Sequence, residues 1–194
     1  MGILYKYRSL DNWKYILDII LNKRLHLSQY KELNDPMEGF YYYTDDIDRR
    51  LQEKIRNKKL EYKICSLSKK YDNTLMWSHY ANSHKGIVLG VDIKNKNKLK
   101  KVDYVEDLVL DSSNVAKSTR ETDVAKTILS KKLTPWEYEE EVRILSRDKY
   151  IEVDIKELYL GCEINDIDEK LIKKLTSKYL SIEVLKKLKK HELK

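Results

Sequence analysis

The chain has 194 residues, 41% of them hydrophobic and 37% charged, with only 5 Gly and 2 Pro. That suits one domain able to bury its own core, and excludes disordered, collagen-like and linker-rich chains. The net charge is +7, of which residues 168–194 carry +5 through nine lysines against four acids, so a basic tail follows a near-neutral body. Residues 3–8 alternate aromatic and polar side chains and predict a first strand. Ser9 or Asp11 can cap the helix that follows, in which Trp13, Ile16, Leu17, Ile20 and Leu21 form a stripe to be buried. Residues 24–28 alternate as a second strand. Residues 34–39 predict a turn, because Pro36 fixes its own φ and pushes Asp35 out of the helical region. Residues 45–59 are polar and helical, with Ile47, Leu51 and Ile55 four apart.

Further along, 62–68 predicts a central strand, 74–81 a short helix and 86–91 a fully buried strand. Residues 94–101 form a basic turn before a strand at 102–105, and 112–132 reads as one polar surface helix. Residues 136–145 alternate as a strand, with more strands at 150–153 and 158–162. Residues 166–180 predict an amphipathic helix, and 181–190 either strand or helix. Strands and helices mix without regular βαβ alternation, so the fold class is α+β. We divide the single domain into a core at 1–165 and a basic C-terminal segment, 166–194, packed on it. Cys65 and Cys162 are solitary, which gives no disulfide framework and no thiolate zinc site. No apolar stretch is long enough to span a membrane and no secretory signal opens the chain, so the expected location is cytoplasmic.

Neither phosphate-binding glycine motif occurs, and His26, His79, His84 and His191 lack metal-ligand spacing, so no metal is predicted. Four clusters are denser in polar and aromatic side chains than packing requires. In Tyr5-Lys6-Tyr7-Arg8, the arginine can reach a phosphate bidentately or pair with a neighbouring carboxylate. Asn34-Asp35-Pro36-Met37-Glu38 is either a site or an Asx-turn. Around Trp77-Ser78-His79-Tyr80, the bulky side chains Leu75, Trp77 and Tyr80 cannot all share one helix face, so some must line a cavity or contact a neighbouring segment. In Trp136-Glu-Tyr-Glu-Glu-Glu-Val-Arg143, an extended chain puts Glu137, Glu139, Glu141 and Arg143 on one face. Three carboxylates there repel one another unless Arg143, Arg8 or a ligand cation offsets them, which marks either a site or a solvated edge strand.

The ordered motifs Lys6-Tyr7-Arg8, Asn34-Asp35-Pro36-x-Glu38, Cys65-Ser66-x-Ser68, Trp77-Ser78-His79-Tyr80-Ala81 with His84-x-Gly86, and Trp136-x-Tyr138-Glu139-x-Glu141-x-Arg143 resemble a large bacterial and phage family. It is known only as a domain of unknown function, and the likeness spans about residues 3–162. More loosely, a first-strand Arg, middle Ser and Tyr and a late Glu-rich strand are similar to the ADP-ribosyltransferase plan. That resemblance implies an α+β domain with a mixed or antiparallel split sheet and peripheral helices, using NAD as substrate. It implies Arg8 as the phosphate clamp, with Tyr7, Ser66, Ser68, Trp77 and His79 around the cofactor. Tyr80 would act at the sugar or nicotinamide, and Glu139 or Glu141 would be the catalytic carboxylate. The expected partners are NAD and a macromolecular acceptor, with DNA or RNA favoured by the basic tail, and an antitoxin if the protein is a toxin or antiphage effector.

Two other readings compete. Asp154-Ile-Lys156, with Asp35 or a carboxylate of the late Glu-rich strand, loosely resembles a metal-dependent nuclease arrangement, in which carboxylates hold Mg²⁺ and lysine positions the phosphate. A non-catalytic module could instead hold single-stranded nucleic acid on lysines and on rings such as Tyr41-Tyr42-Tyr43.

Overall fold

The computed structural model describes residues 2–116, 120–182 and 184–194. The first alternating segment forms strand β1 (Leu4–Arg8), followed by helix α1 (Trp13–Asn22). The buried stripe of α1 is turned from the expected one: Ile16, Ile19 and Ile20 are inside and Leu21 is exposed. Ser9 and Asp11 do not cap it, because their side chains hydrogen-bond to each other, and Asn12 holds the cap position without a side-chain bond. The chain continues through β2 (Arg24–His26), β3 (Tyr42–Tyr43), α2 (Arg49–Leu60), β4 (Lys63–Ser68), α3 (Thr74–Tyr80) and β5 (Ile87–Asp92). Three short strands, β6 (Leu99–Lys101), β7 (Asp103–Val105) and β8 (Val109–Leu110), lead to α4 (Ser112–Ala116), α5 (Glu121–Ile128) and β9 (Lys131–Leu133). β10 (Glu141–Ser146), β11 (Tyr150–Glu152), β12 (Asp154–Leu160), α6 (Asp166–Tyr179) and β13 (Val184–Lys187) follow.

Two expectations are corrected. The single helix over 112–132 is instead α4, α5 and strand β9; its residues 117–119 lie outside the described residues. The strand expected over 136–145 begins only at Glu141, because Thr134–Glu139 forms a 3-10 turn that ends at Glu140 with φ 43°. Pro135 causes this: its fixed φ starts a helical turn, and without an N–H it cannot join a ladder. Glu137 therefore leaves the expected carboxylate face and is exposed. The C-terminal strand-or-helix alternative resolves as strand over Val184–Lys187, with Glu183 outside the described residues.

Seven strands form one mixed sheet in the order β13-β12-β5-β1-β4-β10-β6, and only the β12–β13 pair is parallel. β1 pairs with β5 along its whole length, from Leu4↔Val91 to Arg8↔Ile87, but with β4 only at Tyr5↔Ser68. The two halves of the sheet therefore part between β1 and β4. One face carries the main core, where Ile16, Ile20 and Ile172 of α1 and α6 cluster with Leu89, Val142 and Leu158. On the other, Tyr7, Met76, Trp77, Val88 and Tyr159 pack beneath α3. Ile55 of α2 and Val124 and Ile128 of α5 form a further core with Tyr41 and Leu110. Among the described residues, no helix is long and apolar enough to cross a membrane.

The return from α3 to β5 is tight. Asn82, Ser83 and His84 all take positive φ, between 47° and 67°, and Gly86 N–H donates to the Ala81 carbonyl at 2.8 Å. A Cβ on Gly86 would lie 2.2 Å from the Arg8 carbonyl oxygen and 2.9 Å from that of Ala81, so only glycine lets β1 close against this loop. Gly86→Ala is expected to cost about 1–3 kcal/mol through backbone overpacking, read as a lowered urea midpoint. An unchanged midpoint contradicts the close contact.

Candidate functional site

Where β1 and β4 part, a cavity of about 430 Å³ runs along the seam. Consecutive residues of both strands line it, Tyr5 to Arg8 on one side and Ile64 to Ser68 on the other, with His79 and Tyr80 of α3 and Glu139 and Glu141 closing it. Lys6 Nζ donates across the gap to the Ser66 carbonyl at 2.8 Å, a bond that replaces one the diverging ladder cannot make. Burial lowers the Lys6 pKa, opposed by Cys65, with the Arg8 charge lowering it further against Glu141 and Glu139. Arg8 makes no ion pair among the described residues, and its Nε is buried without a hydrogen-bond partner. One side of the cavity therefore carries two cations without a carboxylate on either.

The opposite side is a buried ion network. Arg143, fully buried on β10, donates from Nε to Glu141 Oε1 at 2.8 Å and from Nη2 to Glu141 Oε2 at 3.0 Å and Glu38 Oε1 at 2.6 Å. Its Nη1 donates to the Leu129 carbonyl at 2.9 Å. Lys132 on β9 lies 2.7 Å from Glu139, 3.5 Å from Glu141 and 3.6 Å from Glu38. Tyr80 donates its hydroxyl to Glu139 at 2.6 Å and accepts from Asn34 at 3.0 Å. Burial alone would raise the Glu141 carboxyl, but the Arg143 guanidinium, with Lys132 and the Ser66 hydroxyl, holds it down at about 2. Glu38 goes the other way: burial raises it and outweighs Arg143. Burial and the Glu139 carboxylate both raise the Tyr80 phenol, so it remains a donor.

Residues 76–144 match the DUF2971 family, described as a protein of unknown function. The match supports membership of a domain-of-unknown-function family. It takes in Tyr80, Lys132, Glu139, Glu141 and Arg143, while Arg8, Glu38 and Ser66 lie outside the matched stretch. No curated protein and no solved structure matches the chain.

Of the residues singled out in the sequence, Arg8, Ser66, Ser68, His79, Tyr80, Glu139 and Glu141 all line the seam cavity. Tyr7 contributes to its wall, but its ring meets the Trp77 indole edge-on at 5.6 Å and its hydroxyl donates to the Lys70 carbonyl at 2.9 Å. Trp77 is corrected to a core residue: it is fully buried, outside the cavity lining, with its indole N–H on the Tyr71 carbonyl at 2.7 Å. Ser68 is a clip, donating to the Glu139 carbonyl at 2.7 Å and accepting from Lys70 N–H at 3.0 Å. The 34–38 motif is both an Asx-turn, with Met37 N–H on the Asp35 carboxylate at 2.9 Å, and a supplier of Asn34 and Glu38.

Sequence reasoning missed Lys6, Glu38 and Lys132 as site residues. Glu38 stood in a noted motif and Lys6 shares a strand face with Arg8, but Lys132 was hidden in the expected polar helix. Neither Asp154 nor Lys156 lines the seam cavity, and Asp154 sits 3.7 Å from Lys94. Among the described residues, no group of three or more His, Cys, Asp or Glu could hold a metal ion. Four lysines near the C-terminus are drawn into ion pairs: Lys186 with Glu192, Lys187 with Glu169, Lys190 with Glu163 and Lys194 with Asp72. That leaves the tail less charge to offer a polyanion than its composition suggests.

Arg143→Met should destabilise the protein by about 3–5 kcal/mol, because it strands the buried carboxylates of Glu38 and Glu141 without a guanidinium. The acid limb tests the same network. Glu141 is held below its ordinary 4.5, so its contribution is complete above that pH and is lost as the pH falls toward 2, whereas raised Glu38 contributes with opposite sign. In Glu141→Gln the loss of stability between these pH values should be shallower in chemical denaturation. An unaltered acid limb contradicts the assignment.

Proposed function

We propose that the protein is an NAD-consuming transferase of the ADP-ribosyltransferase type, acting on a macromolecule. One observation carries the reading: the strands bearing the early arginine, the middle serines and Glu141 are neighbours, β1-β4-β10, and Arg8, Ser66, Tyr80, Glu139 and Glu141 line a single cavity. Its volume falls within the range of small-molecule sites. In this reading the unpaired Arg8 guanidinium takes the pyrophosphate, which it can grip bidentately, and Lys6 adds a second positive charge.

Ionised Glu141 faces the ribose. As the bond between C1′ and the nicotinamide nitrogen breaks, its electron pair leaves with nicotinamide and positive charge develops on the sugar, where a fixed carboxylate stabilises it. The acceptor's nucleophilic atom then bonds to C1′ and gives up its proton to solvent. Glu139 is the positioning residue, holding the Tyr80 hydroxyl so that the ring forms a wall for nicotinamide. An activity of this kind suits a toxin or antiphage effector, as the family resemblance implies, with an antitoxin as the restraining partner.

The test is nicotinamide release from NAD, alongside NAD binding by calorimetry. Arg8→Ala should weaken NAD binding and raise KM. Glu141→Gln should lower kcat by about 10²–10³ while still binding NAD, as expected for a group that acts on developing charge. Tyr80→Phe keeps the ring and removes the hydroxyl's bonds to Glu139 and Asn34, so it reports on positioning if Glu141→Gln fails to fold. Folded wild-type protein that neither binds NAD nor releases nicotinamide overturns the assignment.

A further inference from the structure

A second cavity, of about 770 Å³, lies between α2 and the segment that runs from Tyr30 to Tyr43. Arg49, Gln52, Glu53, Arg56 and Lys59 recur at helical spacing, so one face of α2 supplies its charged wall. Lys59 is buried, only 6% exposed, yet its ammonium donates to just one acceptor among the described residues, the Gly39 carbonyl at 2.6 Å. It also lies 5.3 Å from the Tyr30 ring centroid. Burial, together with the nearby charges of Lys31 and Arg56, lowers its pKa to about 8. Among the described residues, no carboxylate lies within ion-pair distance of Lys59, Arg49 or Arg56, although Asp35, Glu38 and Glu53 also line the cavity. Asp35 is occupied by its own turn, and Glu38 is held by Arg143.

Like charges gathered around a buried lysine cost stability unless an anion offsets them. The facing wall is aromatic: Tyr30, Phe40, Tyr41 and Tyr43, with the Tyr41 hydroxyl buried and without a hydrogen-bond partner. Cations able to take phosphate, opposite rings able to stack on a planar group, match a ligand that carries both.

We propose that this cavity is a nucleotide-binding site, with Arg49, Arg56 and Lys59 on the phosphate and Tyr43 and Phe40 against the base. Glu38 borders both this cavity and the seam cavity, so the nucleotide lies across one side chain from the NAD cleft. That it is the acceptor rests on the transferase reading; that the cavity binds a nucleotide does not.

Binding of a short single-stranded RNA, adenosine monophosphate, inorganic phosphate and an acidic peptide distinguishes the possibilities. RNA should bind, and the double variant Arg49→Ala/Arg56→Ala should weaken it by about tenfold or more, with Tyr43→Ala weakening it as loss of a stacking partner does. The monophosphate should compete with RNA; affinities equal per site identify a free nucleotide as the ligand, and tighter RNA binding identifies the polymer. Arg8→Ala should leave RNA binding intact, and the double variant should leave nicotinamide release into water intact, so each site can fail without the other. Both arginines are exposed, and a urea midpoint no lower than that of the wild type will establish that the double variant folds. RNA binding unaffected by the double variant, RNA binding lost in Arg8→Ala, no binding at about 1 mM, or phosphate or peptide binding as tightly as the nucleotide overturns the proposal.

Discussion

Five charged side chains, Glu38, Lys132, Glu139, Glu141 and Arg143, meet where none of them is appreciably exposed. Taking such groups from water costs several kcal/mol each, which is recovered only if nearly every donor finds its acceptor. Arg143 achieves this with bonds to Glu141, Glu38 and the Leu129 carbonyl, and Lys132 spreads its charge over three carboxylates. The geometry also fixes register. Arg143 lies opposite Ser66 and Glu141 opposite Ser68, while Val142 and Ile144 between them enter the main core. A slip of one residue between β10 and β4 would drive the guanidinium into that core and expose two aliphatic side chains, so the network and the apolar pattern specify the same pairing.

The seam beside the network is the price of an open cavity within a sheet. β1 follows β5 throughout but leaves β4 after a single pairing, and the freed Ser66 carbonyl is satisfied by the Lys6 ammonium. A sheet closed there would have no room for a ligand; a sheet parted without Lys6 would leave that acceptor in a cavity wall without a protein donor. Gly86 sets the other end of the arrangement, since the backbone of β1 at Arg8 presses where a side chain would otherwise stand. Arg8 is thus placed by main-chain contacts rather than by an ion pair, which leaves its charge available.

Much of this was legible in the sequence, but unevenly. Short periodic segments with one burial pattern, such as β1, α3, β5 and α6, declare themselves because local spacing and tertiary burial agree. The segment 134–139 does not, since its alternation of glutamate and tyrosine imitates a strand while Pro135 dictates a helical turn. The alternating Glu139, Glu141 and Arg143 were visible as a crowded set of charges, yet their offsetting partners were not. Glu38 is 105 residues from Arg143, and nothing local announces that contact. Lys132 reads as one more polar surface lysine until β9 carries it inside. Trp77 and Tyr80 lie within one turn of the same helix, and only the packing of Tyr7 and Tyr71 decides which is core and which faces the cavity.

The cavity that results is electrically polarised. Lys6 and Arg8 stand on the β1 side, and on the other three carboxylates share two cations, Lys132 and Arg143. A ligand that is anionic at one end and gains positive charge at the other is complementary to that field, whereas a uniformly anionic ligand meets repulsion at the Glu139 and Glu141 wall. Preorganisation matters here more than charge count: Glu141 is locked by two bonds to a guanidinium that has no freedom to follow the ligand, so its field costs no reorganisation when charge develops nearby. The second cavity has the reverse character, with cations in front and two of its three carboxylates, Asp35 and Glu38, held elsewhere. Glu38 stands between them, bound to Arg143 through one oxygen with the other left without a partner. Burial raises its carboxyl against the lowering effect of the Arg143 guanidinium, so the one side chain that borders both cavities is also a network carboxylate whose charge burial opposes.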